Sequence, residues 1–505
     1  MILEYDDYAT EREFSTGVVV VGTGAGGAVV GTELAEAGEQ VLFVEEGSYV
    51  RTDSFNPYAT ASIPRLYREA GATVILGNPP IPYVEGRVVG GSTVINGGMA
   101  YRTPERVLAH WREESGSDEL GPRAMEPLFE RVEARVSVAR QTPSSIGEDN
   151  RLMTEGAKKM GWAYTVNQRN QQACVGANNC GLGCPTGAKQ STLVSYLPRA
   201  FAAGAGCLTQ VRVERLWIER GRAVGVIGRG VCPLTRRADR EIRVRARAVI
   251  IACGAVQSPL LLQRHKLGRP SGLLGKNFLC HPNAKVVAIY PHDVNGWKGV
   301  SQNTQIREFH EDGILMAENF VPPSVLGAYL PFHGQRAWEL MQRYNQMVVS
   351  GVLVEDSSSG TVTRGPFGMA LARYQIQPLD HRRFLRGIKL LATMHFEMGA
   401  EKVILPFFNQ PEAQSPDDLR TIDELQRSPS TLELFTPHLM GTCRMGSDPK
   451  RSVVGLDGQL WELPGCYVAD ASLFPTAIGV NPQITIMALA TRIAQRMQER
   501  RRAAA

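Results

Sequence analysis

One stretch limits the possible folds of this chain more than any other: residues 18–47, VVVVGTGAGGAVVGTELAEAGEQVLFVEEG. Its four valines form an apolar run suited to a strand buried on both faces. A glycine turn follows, and then Ala28, Val29, Leu34 and Ala35 recur at helical spacing until Gly38 stops the helix. Val41 to Val44 reads as a second, parallel strand ending on Glu45. Strand, helix and strand within about thirty residues make a βαβ unit, so an α/β fold with a Rossmann-like parallel sheet is expected. Within the turn, Gly22, Gly24 and Gly27 spell G-x-G-x-x-G. The first glycine permits the tight turn, the second lets the backbone approach a pyrophosphate, and the third lets the helix lie close to the strand. The helix N-terminus adds partial positive charge for the phosphates. Glu45 stands 18 residues after Gly27, where a carboxylate can accept from ribose hydroxyls. These residues predict a dinucleotide site, and the acid favours an unphosphorylated ribose, hence FAD or NAD rather than NADP.

Later motifs extend the pattern. Gly90, Gly91, Ser92, Thr93, Val94, Ile95, Asn96, Gly97, Gly98 and Met99 place small residues densely enough for backbone amides to approach a flat ligand. Near the C-terminus, YVADAS reads as a strand ending on Asp470, with Ala471 after it. Asn481 as N-cap and Pro482 at the first helical position then open a helix that continues through Gln483. His438 lies upstream in HLMGTCRMG. Between these motifs, residues 50–80 read as loop, 104–160 as mainly helical, and 170–190 as a cysteine-rich loop. Residues 207–253 carry short β-branched strands (VRVERLWI, RAVGVIG, REIRVRA, AVIIAC), and 284–378 alternate as an antiparallel sheet does. Asp380 could cap a helix whose Phe384, Ile388, Leu391 and His395 share one face and which ends at Gly399.

Taken together, the motifs resemble those of the glucose–methanol–choline (GMC) flavoprotein oxidoreductase family. The resemblance rests on the N-terminal fingerprint, GGSTVINGGM, Gly254-Ala255-Val256-Gln257-Ser258-Pro259, His281-Pro282 and both C-terminal blocks. CPTGAKQSTLVSYLPRA looks closest to bacterial alcohol dehydrogenases and long-chain alcohol oxidases. The resemblance implies FAD as hydride acceptor, His438 as the base that takes the hydroxyl proton, and Asn481 as a group that holds the substrate oxygen. It also implies that Asp470 and Ala471 lie near the flavin and ribityl chain, that Val213 contacts the adenine, and that the helix from Pro482 points its positive end at the flavin. Where some relatives attach FAD through a histidine in the GGS loop, this chain has Ile95, so non-covalent FAD is expected.

A discontinuous FAD-binding domain, 1–283 with 431–505, and a substrate domain, 284–430, follow from that architecture. It has an antiparallel sheet covered by helices, and helical and cysteine-rich insertions near 104–190 belong to the first domain. FVPPSVLGAYLPF in the substrate segment suggests a lipophilic primary or secondary alcohol. Two alternatives stay open: a sugar or polyol dehydrogenase relaying electrons through an iron–sulfur cluster, and a non-redox lyase that keeps FAD structurally.

The cluster alternative comes from Cys174, Cys180, Cys184 and Pro185, compact enough for an iron–sulfur loop and similar to the 3Fe–4S segment of bacterial FAD-dependent glucose dehydrogenases. A structural loop is the competing reading, and zinc would be one ligand short. The remaining expectations are exclusions. A net charge of +5 spread over 505 residues gives no reason to expect nucleic acid as a partner. No apolar run approaches the ~20 residues of a membrane span, and the acidic first residues are no basic leader, so a cytoplasmic chain is expected. The electron acceptor would be oxygen, a quinone or a carrier protein.

Overall fold

The computed structural model describes residues 1–9 and 12–504; Thr10, Glu11 and Ala505, inside the expected cofactor-binding segments, lie outside the described residues. The βαβ unit forms as its sequence dictates. Strand Glu13–Val21 runs parallel to Val41–Val44, and helix Gly27–Glu36 between them is buried from Gly27 to Ala35. Gly38 closes the helix at φ +84. These strands sit in an eight-stranded sheet ordered Ile2–Leu3, Gly206–Leu208, Val41–Val44, Glu13–Val21, Ala238–Ile251, Arg222–Val231, Val211–Glu219, with Cys466–Val468 also pairing to Ala238–Ile251. The C-terminal strand therefore returns, 445 residues after Val21, to lie parallel one strand away from the fingerprint. REIRVRA and AVIIAC are one continuous 14-residue strand rather than two. Exposed Arg243, Arg245 and Arg247 alternate with buried Ile242, Val244 and Ala246, and its last three residues, Val249, Ile250 and Ile251, are all buried.

A second sheet of seven strands is antiparallel throughout, ordered Glu412–Ala413, Lys402–Ile404, Asn283–Ile289, Met347–Val354, Ile314–Glu318, Thr304–Ile306, Tyr164–Val166. The Tyr164–Val166 strand and helix Glu148–Lys159 join this sheet, although they precede it in the chain. Helix Pro378–Glu397 packs on it through Phe384, Ile388, Leu391 and His395, all fully buried. Asp380 is not its cap. It lies in the first turn, and its carboxylate accepts from Ser357 N–H and pairs with Arg383. His395 is a core residue: its ring nitrogens contact Tyr290 OH at 3.0 Å and Ser350 Oγ at 2.9 Å.

Residues 50–80 are more ordered than their composition suggests. They hold helix Ala59–Leu66 and strand Thr73–Ile75, which pairs with Ile81–Tyr83 just beyond. Ala59, Ser62 and Leu66 supply the helix with a short buried stripe despite Pro64.

Candidate active site

The glycines of the fingerprint differ in what surrounds them. Gly22 sits at φ +100, and a Cβ there would lie 2.4 Å from Ala252 O. A Cβ on Gly27 would lie 2.1 Å from Gly22 O, and on Gly26 1.7 Å from Ala469 O, so the helix start rests directly on two strand ends. Gly24 is the open one: only Gly91 Cα, 3.9 Å away, lies near its missing Cβ. Glu45, buried at the end of its strand, accepts from Thr23 N–H at 3.0 Å, Thr23 Oγ1 at 2.7 Å and Gly47 N–H at 2.8 Å. Burial raises its pKa against those bonds.

Four segments meet the fingerprint. Thr23 Oγ1 accepts from Gly90 N–H at 2.9 Å, and a Cβ on Gly91 would lie 2.8 Å from Gly24 Cα. Ser92 Oγ accepts from Gly86 N–H at 3.0 Å. Asn96 Nδ2 donates to Gln483 Oε1, tying the 90–99 loop to the last helix. That helix runs Gln483–Ala504, one residue later than expected, with Pro482 O accepting from Ile486 N–H at 3.0 Å. Asp470, buried, accepts from Gly254 N–H at 2.9 Å, Ser472 N–H at 2.8 Å and Ser258 Oγ, and so joins both signature turns beside Ala471. Burial raises its pKa, and those bonds oppose the rise. Val213, half-buried, packs against the same core from strand Val211–Glu219.

Does this cradle fit FAD? Gly24 leaves its backbone open, and Asn96 Oδ1, Ser472 Oγ and Gln483 Nε2 are buried without partners among the described residues, along the seam between the loop, the Asp470 turn and the last helix. Buried polar atoms left in that state mark a place for a polar ligand. The residues fit the cofactor. Ile95, 8% exposed, offers no nucleophile to attach it.

His438 and Asn481 come from different C-terminal blocks and meet: Asn481 Nδ2 and His438 Nε2 are 3.1 Å apart. Among the described residues, His438 Nδ1 and Asn481 Oδ1 have no partner. Burial first, then the neighbouring His281 and Lys285, push His438 down to about 3, so its imidazole is neutral at physiological pH. His281, for which the sequence suggested no task, stands beside it with ring centroids 5.8 Å apart. His281 Nε2 accepts from Ile478 N–H at 3.3 Å and Gly479 N–H at 3.2 Å, bracing the turn that carries Asn481. Its backbone N–H donates to Asp356 at 2.8 Å. Burial pushes His281 down to about 4 and raises Asp356 to about 6.

The three clustered cysteines line one small cavity together with Arg169 and Lys189. Cys180 Sγ faces the Arg169 guanidinium at 3.6 Å, and Cys184 Sγ takes Lys189 N–H and Thr186 Oγ1 at 3.5 Å each. Among the described residues, no three of His, Cys, Asp and Glu are gathered as a metal-holding set. The iron–sulfur reading receives no support: Cys180 and Cys184 engage separate donors, and Arg169 and Lys189 line the same cavity. Lys189 has a different importance, invisible in the sequence. Its buried Nζ donates to Val94 O, Asn96 O and Cys180 O, each at 2.7 Å, and so fastens the cysteine loop to the 90–99 loop. Met99 and Gly97 are held from the same side, Met99 Sδ by Asn167 Nδ2 at 3.4 Å and Gly97 O by Arg169 at 2.7 Å. Gly98 adopts φ +78, and its carbonyl accepts from Asn170 N–H at 3.0 Å. No helix is long and apolar enough to cross a membrane among the described residues.

Comparison with known proteins places the chain in a family. The two family models described as GMC oxidoreductase match residues 63–283 and 356–490. An uncharacterised GMC-type oxidoreductase of Mycobacterium tuberculosis is 36% identical over 481 residues, covering 94% of this chain and 75% of its own length. A long-chain-alcohol oxidase of Arabidopsis thaliana is 25% identical over 539 residues, covering 99% and 69%. Pyridoxine 4-oxidase from Mesorbium loti has the same fold, with a TM-score of 0.73 at 18% identity over 96% of this chain and 99% of that one. With a dinucleotide fingerprint, a shared fold and both family models matched in order, this chain is a flavoprotein oxidoreductase belonging to the GMC oxidoreductase family.

Proposed function

We propose that the protein oxidises the CH–OH group of a small-molecule alcohol to a carbonyl, with His438 as base and Asn481 holding the substrate oxygen. The observation that carries this reading is the 3.1 Å approach of Asn481 Nδ2 to His438 Nε2. With the amide donating, Nε2 keeps its lone pair. A hydroxyl entering between them gives its proton to Nε2 while its oxygen accepts from Asn481 Nδ2. The developing negative charge on that oxygen makes the carbon a better hydride donor, and bound FAD supplies the hydride acceptor. His281 holds the 478–479 backbone so that the amide stays aimed at the imidazole. Similarity to a long-chain-alcohol oxidase supports the reaction class.

On the same reading, Gly22, Gly24, Gly27, Glu45, the 90–99 loop, Val213, Gly254, Asp470, Ala471, Pro482 and Gln483 bind FAD without a covalent bond. Segments 1–283 and 431–505 then form the cofactor domain, apart from helix Glu148–Lys159 and strand Tyr164–Val166, which join the second sheet, and 284–430 covers the reacting face. The lipophilic substrate expected from residues 320–332 draws support from the same relative, but Leu326, Leu330 and Phe332 are engaged in an apolar cluster with the second sheet. Oxygen or another acceptor reoxidises the flavin. Anaerobic mixing with an alcohol tests the reading: the oxidised flavin band should bleach, and much more slowly in His438→Ala. A flavin that stays oxidised with every alcohol while the protein turns over a substrate would favour a lyase instead.

A further inference from the structure

We propose that Lys285, Asn283 and Asn319 form a subsite for a second hydroxyl of the substrate, so that the alcohol oxidised here is a diol or polyol. This rests on the alcohol-oxidising reading of His438. In strand Asn283–Ile289 alternate residues share a face, so Asn283 and Lys285 lie on the side that carries Val287 and Ile289. The two halves of that face differ. Val287 and Ile289 are covered by Leu326, Leu330, Phe332 and Leu340, whereas the polar half is not part of that cluster.

Three polar atoms converge there. Lys285 pairs with Gly351 on the neighbouring strand, and a Cβ on Gly351 would lie 2.8 Å from Lys285 Nζ and 2.9 Å from both Asn283 Oδ1 and Asn319 Oδ1. Those three side-chain ends crowd that point, so glycine at 351 lets them stay together where a larger residue would displace them. Asn319 Nδ2 donates to Glu318 O at 2.8 Å, which turns its Oδ1 toward Lys285, and Lys285 Nζ donates to it. Lys285 is only 8% exposed and makes no ion pair among the described residues. Glu318, the carboxylate that acts on it, is occupied with Asn150 Nδ2 at 2.8 Å and Gln302 N–H at 2.6 Å.

The subsite is joined to the reacting groups. Asn283 and Phe435 exchange both backbone hydrogen bonds at 2.9 Å, three residues before His438, and Lys285 Nζ lies 5.0 Å from the Phe435 ring centroid. What remains unsatisfied defines the ligand. Burial lowers Lys285 to about 7; protonated, it has three donors, of which Asn319 takes one, and among the described residues Asn283 Oδ1 is buried with no donor. A hydroxyl answers both, accepting from Lys285 and donating to Asn283. A carboxylate would set its charge against two amide oxygens, and an alkyl chain would leave every group unpaired.

The test uses the FAD-loaded enzyme, anaerobic stopped-flow flavin reduction, and a matched series of 1-butanol with butane-1,2-, 1,3- and 1,4-diol. At least one diol should exceed butanol by about tenfold or more in reduction rate over dissociation constant. Lys285→Met should cut that diol-to-butanol ratio by about tenfold, chiefly through the diol's dissociation constant. Gly351→Ala, which fills the same point without removing a charge, should cut it too and serves if Lys285→Met does not fold. Butanol reduced as well as every diol, or both classes slowed equally by both variants, would overturn the subsite while leaving the oxidation of alcohols intact. Flavin reduced by no member of the series would overturn the underlying reading and the subsite with it.

Discussion

Replacing His281 by alanine tests how the candidate site is assembled. The ring is fully buried, and its Nε2 is the acceptor for the Ile478 and Gly479 N–H groups. Alanine leaves two buried donors without a partner. The bonds are long, 3.3 and 3.2 Å, so the loss falls near the low end of the range for orphaned groups, about 1 kcal/mol each. Deleting a buried ring beside His438 and leaving a cavity adds about 2 kcal/mol. The expected destabilisation is therefore ~4 kcal/mol, a large part of a typical folding free energy of about 5–15 kcal/mol. The residue also sits at φ +41, in the left-handed region, where the Asp356 bond to its N–H helps to hold it. Alanine inherits that backbone strain, so none is relieved. Urea unfolding of the FAD-loaded protein gives the stability change, and the pH dependence of flavin reduction gives the functional one. Because His281 is among the groups that lower His438, after burial, its removal should move the ascending limb of the profile to higher pH. His281→Gln, whose carbonyl can take one or both N–H groups, should recover part of both losses. Stability within about 0.5 kcal/mol of the parent, the scatter of ordinary surface changes, together with an unmoved pH profile would refute the reasoning.

Three further outcomes are expected. His438→Ala should slow flavin reduction by about 10²–10⁴-fold, the usual contribution of a positioned base, with FAD content unchanged by absorbance. Gly26→Ala puts a methyl 1.7 Å from the Ala469 carbonyl between two buried elements, so about 3 kcal/mol or more of stability should be lost and flavin retained poorly after gel filtration. His395 is held at about 3 by burial, far below the ordinary value near 6.5, so the unfolded chain binds its proton first as pH falls. Its contribution is complete above about pH 6.5 and is lost from there down toward pH 3, by up to about 1.4 kcal/mol per pH unit. Subtracting the urea stability of His395→Gln from that of the parent between pH 7 and pH 5 should isolate this slope, and a flat difference would contradict it.

The βαβ unit was legible because everything that makes it lies within residues 18–47: the valine run, the three glycines at fixed offsets, and the acid at the strand end. The helix over Pro378–Glu397 was legible for the same reason, since Phe384, Ile388 and Leu391 repeat at the helical period. His438 and Asn481 were reached through their motifs, but only folding sets them 3.1 Å apart across 43 residues. Asp380 misled as a cap because a buried acid in a first turn and an N-cap have the same local sequence; Ser357 and Arg383, its actual partners, are chosen by tertiary packing. Periodicity also split Ala238–Ile251 in two, because its halves face different surroundings while the backbone runs on unbroken.

What the tertiary structure alone decided has a common cause. His281 acts on the backbone N–H groups of residues 478–479, and Lys189 on the carbonyls of Val94, Asn96 and Cys180. Asn283, Lys285 and Asn319 meet because strand register places Gly351 between them. Backbone donors and acceptors are the same at every position, so a side chain that binds them leaves no residue-type pattern to read. Local order is written in spacing along the chain. These contacts depend instead on which distant segments lie side by side, and burial makes each of them matter by removing the water that would otherwise satisfy the same groups.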